Sequence, residues 1–122
     1  MTAMVEIPPL VDVTALEMAL QRFADERDWQ QYHSPKNLTM ALTGEVEELA
    51  ELFQWLTEEQ SRTVAQESKT GRAVRDELAD VLPYLVRLSS VLGVDHNDAV
   101  SQKLAANEQK YPARESTPKR PN

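Results

Sequence analysis

The 122-residue chain contains no cysteine, which excludes disulfides and thiolate metal sites. Histidine occurs only as His33 and His96, too far apart for a helical ligand pair. Glycine is limited to three positions, and none belongs to a glycine-rich phosphate loop. Basic residues are outnumbered, 13 against 20 acidic ones, for a formal net charge of −7. That deficit argues against a nucleic-acid polymer as partner, because a phosphate backbone calls for a basic stripe. A single nucleotide held through metal ions stays compatible with it. Long apolar runs are also missing: the longest, near Val81–Val86, is interrupted, so no membrane span is expected. The first residues show no basic segment followed by an apolar one, so no signal peptide is expected and the expected location is the cytoplasm. No serine sits in anything like a nucleophile elbow. Internal repeats and strand-like alternation are both lacking.

What remains reads as one small all-α domain, long enough for a single core. Residues 1–11, with Pro8 and Pro9, are expected to be an extended, poorly ordered lead-in, and the Pro-, Ser- and Lys-rich stretch 112–122 a disordered tail. The domain proper is expected over 12–111. A first helix should start near Asp12 or Thr14, with Thr14 and Glu17 as a capping box, and end near Arg27 or Asp28. Ser34-Pro35 has the form of an N-cap followed by proline at the first helical position, opening a second helix over 35–57 with Gly44 inside it. Such a glycine suggests a close neighbour, either another helix or a ligand. Residues 58–71 are polar and read as a surface connection or a frayed helix start. A third helix over 72–92 should stop at Gly93. It carries Pro83 in its interior, which removes a backbone hydrogen bond and predicts a kink beside Asp80. Asp95 caps a fourth helix over 96–110. The expectation is a four-helix bundle.

Two carboxylate pairs organise this pattern: Glu45 with Glu48, and Glu77 with Asp80. Each pair is spaced i, i+3 on a helix, so its members share a face. With about 100° per residue, Val74, Val81, Tyr84, Leu85, Leu88, Val91 and Leu92 bracket Glu77 on the wheel, and Asp80 lies to one side. Leu38, Leu42, Leu49, Leu52, Phe53 and Leu56 bracket Glu45 in the same way, with Glu48 at the flank. Glu47 and Glu51 face outward. A buried carboxylate normally has a partner, changes protonation or binds metal. Oxygen ligands without cysteine or suitably spaced histidine favour a hard cation, with Mg²⁺ the natural choice beside substrate phosphates. Two such ions would balance the four charges and clamp a polyphosphate. Lys103 offers a compact positive charge and Asn107 a neutral donor and acceptor one turn on. Trp29, Trp55 and Tyr84 are flat faces available to a base, and His33 and Asn37 are polar groups available to its edge. Blander readings compete with each of these: Lys103 as a surface ion-pair partner, the tryptophans as core or interface packing, His33 as a loop hydrogen-bonder, His96 as a solvated side chain.

These residues resemble the all-α nucleoside triphosphate pyrophosphohydrolases of the MazG superfamily, and within it the dCTP pyrophosphatase branch. The likeness runs from about Phe23 to Pro112. It is carried by Glu26-Arg27-Asp28-Trp29, by His33 through Leu38, by Gly44-Glu45 through Phe53-Gln54-Trp55, by Asp76-Glu77-Leu78-Ala79-Asp80-Val81-Leu82 with Tyr84-Leu85, and by Lys103, Asn107, Lys110, Tyr111 and Pro112. The resemblance implies Mg²⁺ held by Glu45, Glu48, Glu77 and Asp80, and hydrolysis of a dNTP, dCTP or a modified dCTP first, to the monophosphate and pyrophosphate. It places Trp29 and Trp55 around the base. Tyr84, Lys103 and Asn107 fall at the sugar–phosphate end, with Lys110 and Tyr111 in the same closing cluster. It also implies a homodimer or homotetramer with sites built between subunits. Two positions depart from the vertebrate pattern: Leu20 stands where those members carry a histidine, which predicts looser discrimination among dNTPs, and Pro83 is absent from them. The competing class is a non-catalytic helical oligomer whose buried carboxylates fix register or hold a structural metal. The Lys103–Asn107 cluster discriminates, since a register device has no need of it.

Overall fold

The longest helix serves as the spine of the computed structural model, which describes residues 9–113. Five α-helices follow one another: α1 (Thr14–Glu26), α2 (Pro35–Glu51), the short α3 (Glu58–Thr63), α4 (Ser68–Leu92) and α5 (His96–Lys110). Single 3₁₀ turns at Gln30–Tyr32 and Val64–Gln66 fill two of the connections, and no strand occurs among the described residues. The all-α expectation is met. α4 packs along α2, receives α1 on another side, and is touched near its start by the second 3₁₀ turn. The buried apolar core is small: Ala24, Leu38, Val64, Val74 and Val86.

Local chemistry explains most helix ends. Ser34 accepts a hydrogen bond from the Asn37 N–H at 3.2 Å and Pro35 occupies the first position of α2, a cap of the kind that contributes about 0.5–2 kcal/mol. The capping box expected at Thr14 does not form. Val13 is the N-cap of α1 without a side-chain bond, and the Thr14 N–H donates to Asp12 Oδ1 instead. A full capping box appears at Thr57, whose hydroxyl accepts from the Gln60 N–H while Gln60 Oε1 accepts from the Thr57 N–H. That box starts α3 in a stretch expected to be a surface connection or a frayed helix start, and it also accounts for the early end of α2 at Glu51 rather than 57. Between the two helices the chain tightens to three-residue spacing, with Leu52 N–H donating to Leu49 O, Phe53 N–H to Ala50 O and Leu56 N–H to Phe53 O.

α1 and α4 end in the same way. Gly93, at φ 70°, donates to Ser90 O while Val94 donates to Ser89 O, the paired bonds of a Schellman motif. Asp28, at φ 54°, takes the equivalent place after α1, with its own N–H on Asp25 O and that of Trp29 on Ala24 O. The left-handed residue here is an aspartate, one of the few non-glycine types that tolerate it. This turn aims Trp29 back along α1.

α4 begins at Ser68, four residues before its expected start. Gly71 lies buried in its first turn, where a Cβ would collide with the Ala65 carbonyl oxygen. The missing side chain is thus what lets the 3₁₀ turn approach α4. Gly44 differs: nothing among the described residues lies near its missing Cβ, so the close neighbour expected there is not found among them. α4 is helical without interruption through Pro83. α5 is capped by Asp95 Oδ1, and Asn97 Oδ1 accepts from the Val11 N–H at 3.0 Å. Otherwise it makes little packing contact with the other helices, so the bundle within one chain is built from α1, α2 and α4. Leu78, Leu82, Leu85 and Leu92 leave an exposed apolar row on α4. Among the described residues no helix is long and apolar enough to cross a membrane. The lead-in and tail expected at the termini fall mostly on 1–8 and 114–122, outside the described residues.

Candidate active site

The packing of α2 on α4 brings three carboxylates together. Oxygens of Glu45, Glu48 and Glu77 all lie within 4.8 Å of one another. Glu45 and Glu77 are half-buried, and each has one oxygen, Oε2, closed off from solvent with no hydrogen-bond donor; Glu48 forms the exposed rim. Among the described residues no lysine or arginine neutralises them: the ion pairs there join Glu26 of α1 to Arg22 and to Arg27, the residue after that helix. Burial, followed by the negative charges of Glu48 and Glu45, pushes the Glu77 carboxyl from 4.5 up to about 7. Burial and then Glu48 push Glu45 upward as well. Asp80, one turn beyond Glu77, is exposed and stands outside the triple, although its charge contributes to the rise at Glu45. Two closed-off oxygens without donors, in an all-carboxylate set, fit a hard divalent cation in type and charge.

These shifts set a direction for stability. In metal-free protein Glu77 keeps its proton up to about 7, whereas in the unfolded chain the carboxyl ionises near 4.5. The folded state therefore binds more protons in that window, and stability falls as pH rises from 4.5 through about 7. With chelator present, the melting temperature should be lower at pH 8 than at pH 5, and Glu77→Gln should flatten the dependence. A melting temperature that climbs over this range would contradict the burial of the pair.

Next to the carboxylates lies a pocket of about 380 Å³, lined by Leu20, Phe23, Trp29, His33, Leu38, Asp80, Pro83, Tyr84 and Arg87. Asp80 stands on its wall and so links it to the acidic cluster. Trp29 meets Phe23 edge-on, with ring centroids 5.5 Å apart, and is still 40% exposed. The Arg27 guanidinium covers the Phe23 ring at 3.5 Å. Arg87 is only 6% exposed. Its Nε donates to His33 Nδ1 at 3.1 Å and its Nη1 to Gln21 Oε1 at 2.7 Å. Burial and then the Arg87 charge hold His33 below the usual histidine range, as an imidazole that accepts at Nδ1 requires.

The structure gathers Trp29, His33, Asp80 and Tyr84 around this pocket, and Glu45, Glu48 and Glu77 beside it. The other residues singled out from sequence lie elsewhere. Asn37 is exposed, and its side chain donates to the Tyr32 carbonyl at 3.2 Å. Trp55, in the turn after α2, is 87% exposed, so it packs in no core of this chain. Lys103, Asn107 and Lys110 lie on α5, with Tyr111 just beyond, and none lines the pocket. Lys110 Nζ sits 5.3 Å from the Tyr111 ring centroid. His96 is half-buried with Nδ1 enclosed, not solvated. Sequence reasoning missed Arg87 and its partner Gln21. A signal was present, because Arg87 follows Asp80 by seven residues on the same flank of α4.

The sequence pattern of the MazG-like family matches residues 42–119. dCTP pyrophosphatase 1 of Rattus norvegicus is 47% identical over 105 residues, which are 86% of this chain and 60% of that protein. The Homo sapiens protein of the same name is 45% identical over 106 residues, 87% of this chain and 61% of its own. The chain thus spans about three-fifths of the length of these curated relatives. A crystal structure of a pyrophosphatase from Archaeoglobus fulgidus superimposes with a TM-score of 0.76 at 38% identity, covering 88% of this chain and 99% of that one. With nearly two-thirds of its residues inside the family pattern and a structural counterpart matched along its whole length, the chain belongs to the MazG-like family.

Proposed function

We propose that residues 12–111 form an Mg²⁺-dependent nucleoside triphosphate pyrophosphohydrolase that converts a dNTP, dCTP or a modified dCTP foremost, to the monophosphate and pyrophosphate. Its role would be housekeeping of the cytoplasmic nucleotide pool. The observation that carries this reading is the juxtaposition of half-buried carboxylates, two of them with an enclosed oxygen that lacks a donor, with a largely apolar pocket of nucleoside size. The names of the relatives support the reaction and the base. A helical oligomer with register-fixing carboxylates would have no use for the pocket.

In this reading Glu45, Glu48, Glu77 and Asp80 hold the metal. Bound there, Mg²⁺ supplies positive charge to the polyphosphate and Lewis acidity toward water. Trp29 offers its exposed face to the base, and Tyr84 closes the pocket beside Asp80. The reaction adds one water across the bond between the α-phosphorus and its bridging oxygen, and pyrophosphate leaves as a unit. Lys103 gives the phosphates a compact cation, with Asn107, Lys110 and Tyr111 beside it. Within a single chain these α5 residues and Trp55 stand apart from the pocket, so the complete site calls for a second copy, in a homodimer or homotetramer. Support comes from the exposed leucine row on α4, the sparse packing of α5, and the exposed Trp55. The assembly would also place a neighbour over Gly44, whose missing Cβ faces open space in one chain.

Thermal unfolding tests the reading before any kinetics. Mg²⁺ and a non-hydrolysable dCTP analogue together should raise the melting temperature by more than the sum of their separate effects, because each binds better when the other is present. Strictly additive shifts would contradict a shared site.

A further inference from the structure

Arg87 is the buried charged side chain among the described residues, and its surroundings do not neutralise it. A guanidinium cannot shed its proton in a protein, and a buried charge is costly unless paired. Yet among the described residues no carboxylate lies within ion-pair distance of it. Its protein partners, His33 Nδ1 and Gln21 Oε1, are neutral acceptors reaching it from the loop after α1 and from α1 itself. They occupy Nε and one N–H of Nη1 and so fix the plane of the group. The remaining N–H groups have no acceptor among the described residues and border the pocket that Trp29 also lines. Most of the remaining wall is apolar, with Leu20, Phe23, Leu38 and Pro83. A flat, acceptor-bearing ligand edge is what this wall lacks.

We propose that Arg87 is the specificity residue of the site, donating from its fixed guanidinium to the adjacent acceptors N3 and O2 of a cytosine ring stacked against Trp29. This rests on the nucleotide-hydrolase reading and adds the group that reads the base. The two neighbouring acceptors of cytosine suit a planar donor fork. Uracil and thymine present an N3–H at the same place, so a donor would oppose a donor. A phosphate would also suit arginine, but position decides against it. Asp80, at the acidic end, and Arg87 are seven residues apart on α4, about 10 Å of helix rise. That separation is of the order of the reach from a 5′-phosphate to the far edge of its base. Phosphates gathered at the carboxylates therefore leave the base edge at Arg87.

The test has a kinetic arm and a binding arm. In the first, kcat and KM are measured on dCTP, dUTP and dTTP for the parent, Arg87→Met and Arg87→Lys. The expected result is a fall of roughly 10- to 100-fold in kcat/KM on dCTP, the range that follows when a buried polar pairing is lost, carried mainly by KM. Activity on dUTP and dTTP should change little, so the preference for cytosine collapses in both variants, including the one that keeps the charge. Equal losses on all three substrates, or an unchanged preference, overturns the proposal while leaving pyrophosphate release intact as the function. The second arm needs no variant: the Arg87 side-chain N–H resonances of the parent are followed while dCMP or dUMP is added with Mg²⁺. Shifts with dCMP and not with dUMP are expected. Resonances unmoved at saturating dCMP overturn the assignment even if every variant fails to fold. If the parent hydrolyses no dNTP, the enzymatic reading falls, and this titration still decides whether Arg87 meets cytosine.

Discussion

Glu77→Gln should abolish nucleotide hydrolysis and raise the melting temperature of the metal-free protein at pH 8. The two effects come from one cause. The Oε2 of Glu77 is enclosed without a donor and faces Glu45 and Glu48, an arrangement that is unfavourable in the ionised apo state and suited to a cation. An amide keeps the shape of the side chain but removes a charge on which the proposed metal binding depends. Loss of the several kcal/mol that a metal lends to a transition state corresponds to a rate fall of roughly a thousandfold or more. The same change relieves repulsion among three carboxylates, so the apo protein gains stability where the parent would be ionised. Activity with excess Mg²⁺ and melting curves in chelator are the two measurements. A variant that hydrolyses dCTP at the parent rate would show that the cluster is not the reaction centre. A variant that melts lower than the parent at pH 8 would show that Glu77 has a stabilising partner.

The second large effect is expected at Trp29. Its indole is held edge-on by Phe23 and remains open on the pocket side. Base–aromatic stacking contributes about 1–3 kcal/mol by alanine substitution, and Trp29→Ala should therefore raise KM for dCTP by roughly 5- to 150-fold. Stacking is present in ground and transition states alike, so kcat should move little. It is nearly blind to base identity, so KM for dUTP should rise by a similar factor, in contrast to the Arg87 variants. Trp55→Ala is the companion measurement. With 87% of its surface exposed, Trp55 contributes little to the stability of one chain, and its substitution raises KM only if a second copy carries it into the pocket. An unchanged KM in Trp29→Ala would remove the base from this pocket altogether.

Legibility in the sequence followed the reach of each physical signal. Glu45 and Glu77 could be identified because a carboxylate in the middle of an apolar stripe is costly whatever the fold, and both prove half-buried with an enclosed oxygen. Asp80 and Glu48 lie at stripe edges, where the wheel does not decide burial, and both are exposed. Gly93 was readable from composition and position alone. The end of α2 was not, because Leu52, Phe53 and Leu56 continue the apolar period while the backbone has already tightened and Thr57 begins a new cap. The Thr57–Gln60 box is a short-range signal, hidden in a stretch that reads as a polar connection. Arg87 escaped because an arginine at the flank of a stripe is normally solvated, and only the tertiary approach of Gln21 and His33 encloses it. Lys103, Asn107 and Trp55 form a group in the sequence that a single chain does not bring to the pocket. In the proposed assembly a second copy supplies them, and contacts between copies leave no period along one sequence.

Phosphorus NMR of a single dCTP hydrolysis tests the central claim most directly, with the parent protein followed in Mg²⁺ and again after addition of chelator. The site described here predicts dCMP and pyrophosphate in equal amounts from the first turnover, and no conversion once the metal is withdrawn. Appearance of dCDP with inorganic phosphate as the first products, or hydrolysis that continues in chelator, would contradict it.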